Sequence, residues 1–251
     1  MNTLLISSSD LIDDDLYEIK DSLRFGHLKN ILKLKEGDPI KVCFINRGIG
    51  KGYITSIEKN HFKVSTKGSP FIKKSEPWCD LLIGLSRPQT CKKVLELGTS
   101  LGVNSFEFVK ADLSEKSYGD SKIFQNKAYE EFILNGLSQS ATFYKKPFFT
   151  LSSKINLDKY NDRTQKIVLS PYTNKSLNDV KLNFADPLTV AIGPERGWTK
   201  DELEYFRNND FFEVSLSPSI LRVETATVAI LSQLELLKNE NYGRINTGEV
   251  K

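Results

Sequence analysis

Residues 190–202 read VAIGPERGWTKDE, an apolar strand pattern that runs into a Gly/Pro loop and then into the start of a helix. Thr199 and Glu202 have capping-box spacing, which predicts that the helix begins there. Open α/β sheets bind ligands where the carboxyl end of a strand meets a helix N-terminus. Gly193 and Gly197 would let the backbone approach such a ligand closely. The stretch therefore favours a ligand loop, although an ordinary tight strand-to-helix connection has the same local pattern.

Residues 216–226 read LSPSILRVETA and repeat the order of strand, loop and helix. The charged residues Arg222 and Glu224 follow the apolar pair Ile220-Leu221. Apolar loop residues with backbone donors suit an adenine ring and its ribose. The stretch thus indicates a small-molecule pocket, while a capped helix start without a ligand remains the alternative.

Strand and helix patterns alternate along the second part of the chain. Apolar strand patterns occupy 81–85, 106–109, 167–169, 188–192 and 211–216, and helical patterns occupy 94–101, 124–137 and 224–237. Such alternation predicts a parallel sheet covered on both faces. We therefore predict an α/β domain over residues 76–251.

The first 75 residues predict a separate, mostly β domain. A helical patch covers 23–34, and Ile40, Val42 and Phe44 alternate as in a half-buried strand. The glycines of RGIGKG, residues 47–52, are interpreted as hairpin turns in a small antiparallel barrel. A polar, proline-punctuated stretch at 67–77 marks the boundary between this domain, 1–75, and the next.

Charge and composition indicate a basic first domain and argue against a membrane protein, a disulfide-rich protein and a metal-binding protein. The 251 residues carry a net charge of +3, but residues 24–74 hold 12 Lys/Arg against 3 Asp/Glu, a local +9 that fits a phosphate backbone as well as a solvated lysine-rich surface. No apolar run is long enough for a membrane span, and no leader pattern opens the chain, so we expect a cytoplasmic protein. Three separated cysteines and two histidines predict neither a disulfide framework nor a metal site.

The two loop stretches together resemble a known family. IGPERGW is similar to the IGPEGG loop, and LSPSILRVETA to the LGxRILRxETA loop, of the SPOUT-class methyltransferases that methylate uridine N3 in small-subunit ribosomal RNA. Upstream, residues 24–38 resemble the family's RxxHL, VLR and GD pattern, and 87–103 resemble a branch that begins RPQTLKKVLE. The resemblance extends from about residue 2 to residue 237.

This resemblance implies a PUA-like RNA-binding barrel, a SPOUT domain with a trefoil knot, a homodimer, and S-adenosylmethionine held in the knot. It implies that the cofactor pocket is lined by Leu169, Gly193, Glu195, Gly197, Leu216, Ser217, Ile220, Leu221, Thr225 and Ala226. The implied partner is ribosomal RNA or the assembled small subunit.

The chain departs from the family pattern at several positions. Arg196 replaces a glycine that we expect to point outward, and Ser217 and Ser219 replace the Gly and Arg of LGxR. Ser100 stands in the TELGV segment, and Ser138 and Thr142 replace the Glu and Arg of EQxxR. These departures bear on the RNA substrate more than on the cofactor.

Methylation of uridine N3 requires loss of its proton or stabilisation of the resulting anion. Arg222 is the first candidate for stabilising the anion, because it stays charged and its fork can span two oxygens. Glu195 is a candidate base that could equally cap a helix or hold Arg222. We expect Arg24, His27, Lys29 and Lys33 to contact RNA phosphates, with packing an even alternative for His27. A different RNA position, such as a ribose 2′-hydroxyl, or a catalytically silent assembly factor remain alternative functions.

Overall fold

The computed structural model describes residues 3–26 and 32–242. These residues form two compact units. The first unit comprises Met1–Glu76 and Leu137–Lys146, and the second comprises Pro77–Gly136 and Pro147–Lys251. No local pattern in the sequence indicates that Leu137–Lys146 belongs to the first unit.

The first unit is a six-stranded sheet with the order β1-β4-β5-β6-β3-β2. Its elements are β1 (Leu4–Ile6), β2 (Leu11–Asp13), β3 (Leu16–Ile19), α1 (Ser22–Gly26), β4 (Pro39–Phe44), β5 (Gly48–Ile57) and β6 (Phe62–Ser65). The alternation in β4 is confirmed, because Ile40, Val42 and Phe44 are buried in the core of this unit. The sheet is mixed rather than purely antiparallel, since β1 and β4 pair in parallel.

The interpretation of residues 47–52 as hairpin turns is wrong, because their glycines lie inside strand β5. A Cβ at Gly48 would lie 2.9 Å from the carbonyl oxygen of Ile72. A Cβ at Gly52 would lie 2.6 Å from Val64 and 2.9 Å from Val42. The glycines therefore allow close packing across this strand, where we had expected them to supply turn conformations.

The second unit contains a six-stranded, all-parallel sheet with the order β12-β10-β11-β7-β8-β9. Its elements are β7 (Cys79–Gly84), α2 (Pro88–Ser100), β8 (Val103–Val109), α3 (Tyr129–Gln139), β9 (Phe148–Ser152), β10 (Gln165–Leu169), β11 (Leu188–Ile192), α4 (Lys200–Asn208), β12 (Phe212–Val214) and α5 (Val223–Tyr242). The predicted parallel α/β sheet is confirmed. The trefoil knot stays a prediction.

Both faces of this sheet are covered, as the continuous apolar strands predict. Helices α2 and α5 bury Val94 and Leu231 against one face. On the other face, Leu203 and Phe206 of α4 pack with Leu157. The capping box is confirmed at the start of α4, where the Glu202 backbone N–H donates to Thr199 Oγ1 at 3.1 Å.

One local prediction in this unit is wrong, and one strand was not predicted. The helix expected over 124–137 begins only at Tyr129, because Asn126 and Lys127 have φ values of 49° and 58°, which a right-handed helix does not contain. The strand β9 was missed. It lies at the edge of the sheet and leaves Phe148 exposed, so its sequence lacks the continuous apolar run of the central strands.

The three cysteines are buried and unpaired. Burial raises the pKa of Cys43 and of Cys91 to about 12 and the pKa of Cys79 well above its usual range. Over residues 3–26 and 32–242, no three His, Cys, Asp or Glu side chains lie together as a metal site would need. Across the same residues, every helix is too short or too polar to cross a membrane.

Candidate cofactor site

Three loops meet at the carboxyl edge of the parallel sheet. They follow the neighbouring strands β10, β11 and β12 and together line one cavity. The loops after β10 and β12 are tied together, since the Ser170 N–H donates to the Val214 carbonyl at 3.0 Å and the Ser215 N–H donates to the Lys175 carbonyl at 2.8 Å. This edge is where open α/β sheets bind their ligands.

The loop after β11 is a tight turn. The Gly197 N–H donates to the Pro194 carbonyl at 2.8 Å, and Gly197 has a φ of 74°, which disfavours any residue with a side chain. A Cβ at Gly193 would lie 3.0 Å from the Cα of Gly197. The two glycines therefore let the turn close on itself beside the cavity.

The end of β7 braces this turn from behind. A Cβ on Gly84 would lie 2.3 Å from Cδ of Pro194, so only glycine fits there without movement. The backbone N–H of Arg87, at the start of α2, donates to Glu195 Oε1 at 2.7 Å. Glu195 therefore joins the turn to the N-terminus of a helix, one of the two structural roles that the sequence left open.

The loop after β12 is held by its own serines. The Ser215 hydroxyl donates to the Ser217 carbonyl at 3.2 Å, and the Ser219 N–H donates to Ser217 Oγ at 3.1 Å. The chain then enters α5, where the Ala226 N–H donates to the Arg222 carbonyl at 2.7 Å. The serines that replace Gly and Arg of the resembled loop thus stabilise the loop and also line the cavity.

The structure brings together nine of the ten residues predicted to line the cofactor pocket. These are Leu169, Gly193, Glu195, Gly197, Leu216, Ser217, Ile220, Leu221 and Ala226. Thr225 lies on the first turn of α5, exposed and outside this lining. The cavity is largely apolar, with serine hydroxyls and backbone groups between the apolar side chains, a combination that fits the adenine and ribose of S-adenosylmethionine.

Charge at the cavity comes from a single turn. Among the described residues, the lining contains only two charged side chains, Glu195 and Arg196. Arg196 was expected to point outward; it is exposed but also lines the cavity, and its φ is not positive, so the glycine of the resembled loop is not required. Ser219 lines the same cavity where the resembled loop has an arginine.

Arg222 lies between the cavity-lining residues Leu221 and Val223 but is itself exposed and outside the lining. Its guanidinium forms no ion pair or hydrogen bond with the residues that the structure describes. Glu224 pairs instead with Lys93, at 3.3 Å. Partial burial works to raise the pKa of Glu224, but its own N–H, Lys93 and Arg222 outweigh this, so the pKa lies below its usual value.

Sequence reasoning missed several cavity residues. The most notable are Ser170, Pro171 and Tyr172 after β10 and Trp198 after the β11 turn. Their position in the sequence could have indicated a ligand loop, because Ser170-Pro171 directly follows a predicted strand of a parallel sheet. Nothing local distinguishes that loop from any other polar connection, so only its place next to β11 and β12 reveals it.

The predicted RNA contacts lie in the first unit. Arg24 donates to both carboxylate oxygens of Asp10, at 3.0 and 3.1 Å, and to the Leu5 carbonyl at 3.0 Å. This bidentate pair stabilises the unit and engages the guanidinium. Lys33 is exposed. His27 and Lys29 lie outside the described residues.

Comparisons with known proteins identify the family of this chain. Residues 73–235 match the family described as the RNA methyltransferase domain, and residues 24–67 match the RNA methyltransferase PUA domain. The ribosomal RNA small subunit methyltransferase E 1 of Borreliella burgdorferi is 32% identical over 212 residues, which cover 82% of this chain and 87% of that protein. The ribosomal RNA small subunit methyltransferase E of Treponema pallidum is 29% identical over 239 residues, which cover 91% of this chain and 88% of that protein.

A solved structure shows the same fold. The ribosomal RNA small subunit methyltransferase E of Neisseria gonorrhoeae, bound to S-adenosylmethionine, superposes with a TM-score of 0.73 at 18% identity. The match covers 94% of this chain and 98% of that one. The likeness extends over both units of the chain.

Proposed function

The chain belongs to the RNA methyltransferase family that includes ribosomal RNA small subunit methyltransferase E, and we propose that it methylates N3 of a uridine in small-subunit ribosomal RNA, with S-adenosylmethionine as methyl donor. The family expected from the two loop stretches is confirmed. One observation carries the proposal for this chain: both stretches converge on one cavity at the carboxyl edge of a parallel sheet.

The cavity residues would hold the cofactor in three ways. Apolar side chains such as Leu169 and Leu221 would contact its heterocycle, serine hydroxyls would be available for hydrogen bonds, and the Gly193–Gly197 turn would let the backbone come close. When bound, S-adenosylmethionine supplies an already activated methyl group. The chain's own residues therefore have to position the acceptor base and stabilise its charge.

Arg222 is proposed to stabilise the anion that forms over N3, O2 and O4 of the target uracil. Its guanidinium forms no direct ion pair or hydrogen bond with the described residues and interacts with Glu224 only through its charge. It directly follows a cavity-lining leucine, so it is available to the RNA. A cation that faces developing negative charge in the transition state lowers the barrier. Glu195 is held by Arg87 through one oxygen, and its role as proton acceptor stays a prediction.

The proposed function is tested with purified protein, S-adenosylmethionine and small-subunit ribosomal RNA, either free or assembled. Nucleoside mass spectrometry should find 3-methyluridine at one position, and ribosomal RNA from cells that lack the gene should miss it. A 2′-O-methylated product would redirect the activity to the ribose. RNA binding without cofactor binding, measured by calorimetry, would indicate the silent assembly factor.

We propose that the basic first unit holds the RNA mainly through phosphates. Reversing two charges, with Lys29→Glu and Lys33→Glu, should weaken RNA binding and reduce its salt dependence, because each neutralised phosphate contributes about 0.7 to 0.9 to the log–log slope. Binding titrations across a salt series measure this. The matched control is Lys154→Glu with Lys181→Glu, the same charge change at exposed lysines of the second unit. An equal loss in both pairs would point to net charge alone.

A homodimer is also proposed. Most apolar residues of α2 and α5 are buried within the chain's own core, but Leu97 and Leu236 stay exposed on these helices, where a symmetric contact could cover them. Sedimentation at micromolar concentration should give twice the 28.5 kDa chain mass. A species at the chain mass itself would contradict the proposal.

A cytoplasmic location follows from the proposed substrate, because ribosomal RNA is modified where ribosomes are assembled. This location rests on the function and not on any separate feature of the chain.

A further inference from the structure

Two of the most exposed apolar side chains in the described chain lie at the mouth of the cofactor cavity. Ile220 is 79% exposed and Tyr172 is 76% exposed, although both line the cavity. They come from different loops, after β12 and after β10. Exposed apolar groups grouped at a cavity mouth mark a surface that another molecule covers.

The Tyr172 ring projects from a constrained backbone. Pro171 precedes it and fixes its own φ, and the Tyr172 N–H donates to Ser170 Oγ at 3.3 Å. Ser170 in turn is tied to Val214. The backbone that carries the ring is therefore held by the neighbouring loop after β12, so little backbone ordering is needed when a flat ligand stacks on the ring.

Arg196 adds a cation to the same mouth. Its guanidinium has no hydrogen-bond or ion-pair partner within the residues that the structure describes, and its neighbour Glu195 is held by the Arg87 N–H. An anionic ligand would satisfy this guanidinium, and RNA is the anionic ligand of the proposed function.

We infer that Tyr172, Ile220 and Arg196 form a subsite for the target nucleotide, in which the aromatic ring stacks on the unpaired uracil and the guanidinium binds an adjacent phosphate. Unpaired bases are commonly recognised by stacking on aromatic side chains, and arginine binds phosphate with two donors. The subsite rests on the proposed function and names residues that hold its substrate. Arg222 keeps its separate role at the reacting ring.

The test uses the cofactor-saturated full chain and two single-stranded probes, an oligouridylate and an abasic ribose-phosphate oligonucleotide of equal length. Tyr172→Ala should weaken oligouridylate binding about tenfold, within the range for loss of one stacked base, and leave the abasic probe unaffected. Tyr172→Phe should bind oligouridylate within about twofold of the unmodified chain, because the aromatic ring alone is sufficient for stacking. Arg196→Gln should weaken both probes and lower the salt slope by about 0.7, the value for one phosphate of a single strand.

Matched controls are Phe148→Ala, an aromatic residue that is 74% exposed but outside the cavity, and Lys181→Gln, an exposed cation outside it. Neither should change probe binding. Calorimetry gives the S-adenosylmethionine affinity of each variant, and the probes are titrated at a cofactor concentration that saturates it. A change in cofactor binding at Tyr172 or Arg196, which line the cavity, is then not mistaken for a loss of RNA binding. Equal losses on both probes for Tyr172→Ala, or no oligouridylate binding by the unmodified chain, would overturn the subsite.

Two further outcomes separate the hypotheses. If Tyr172→Ala converts a sedimenting dimer into single chains, the ring belongs to an interface between copies, and the subsite is wrong. If the probes behave as expected but ribosomal RNA gains no methyl group, the subsite stands and the proposed function fails. If methylation proceeds and none of the variants affects probe binding, the function stands and the subsite fails.

Discussion

Replacing Arg222 with alanine is expected to slow methyl transfer about 10²- to 10³-fold, the usual loss when one preorganised charge-stabilising donor is removed. Arg222→Lys keeps a positive charge but loses the two-donor fork, so its rate should lie between the rate of the alanine variant and that of the unmodified chain. Cofactor affinity should change much less, because the guanidinium lies outside the cavity lining and acts on charge that develops in the transition state. Single-turnover rates and S-adenosylmethionine dissociation constants measure the two effects separately.

The matched control is Arg207→Ala, which removes an exposed arginine of α4 that pairs with Glu213 at 2.9 Å, away from the cavity. Its rate should stay close to that of the unmodified chain. Parallel losses of rate and cofactor affinity in Arg222→Ala would mean that the side chain only braces its loop. The pairing of Glu224 with Lys93 argues against such bracing through Glu224.

Replacing Gly84 with alanine is expected to deform the cofactor cavity. The added Cβ would lie 2.3 Å from Cδ and 2.5 Å from the backbone nitrogen of Pro194, so the turn after β11 must move. Overpacking of this kind costs about 1 to 3 kcal/mol, which lowers the melting temperature by about 2 to 4 °C per kcal/mol in a chain of this size. We expect S-adenosylmethionine affinity to fall at least about tenfold, because a free-energy cost of about 1.4 kcal/mol for binding to the displaced loop corresponds to a tenfold loss.

Gly119→Ala is the matched control, because its Cβ would meet only Leu85 Cδ2 at 3.5 Å, an ordinary contact. Neither glycine has a positive φ, so alanine fits both backbones and the comparison isolates the steric contact. Thermal melts and calorimetry measure the two quantities. Unchanged cofactor binding in Gly84→Ala would show that the turn after β11 accommodates the methyl group and that β7 does not position this turn.

Local patterns determined much of this protein in advance. The runs at 81–85 and 188–192 lie in strands, and Thr199 caps α4. The helix cap depends on neighbours a few residues apart, and the strands are recognisable because a sheet covered on both faces requires uninterrupted apolar runs. The two loop stretches also identified the family, because the residue types of each loop are restricted by its tight turn and by the cavity that it lines.

Some contacts could not be predicted because the two partners lie far apart along the chain. Arg24 pairs with buried Asp10, and nothing in the local sequence reveals that pairing. Its contact with RNA stays a prediction. The glycines of β5 looked like turn residues, yet they serve close packing against Ile72 and Val64. The local sequence does not distinguish a glycine that supplies a turn conformation from a glycine that allows close packing of a neighbouring residue.

The sequence by itself determined the parallel α/β sheet, its ligand edge and the two loops that line the cavity. Only the tertiary structure decided three further features: Tyr172 lines the cavity from the loop after β10, Arg196 is part of the lining, and Gly84 lies against Pro194. Periodicity and turn chemistry report on contacts within a few residues. The composition of the cavity depends on strand order, which places β10 between β11 and β12 and so brings together loops that are distant in sequence.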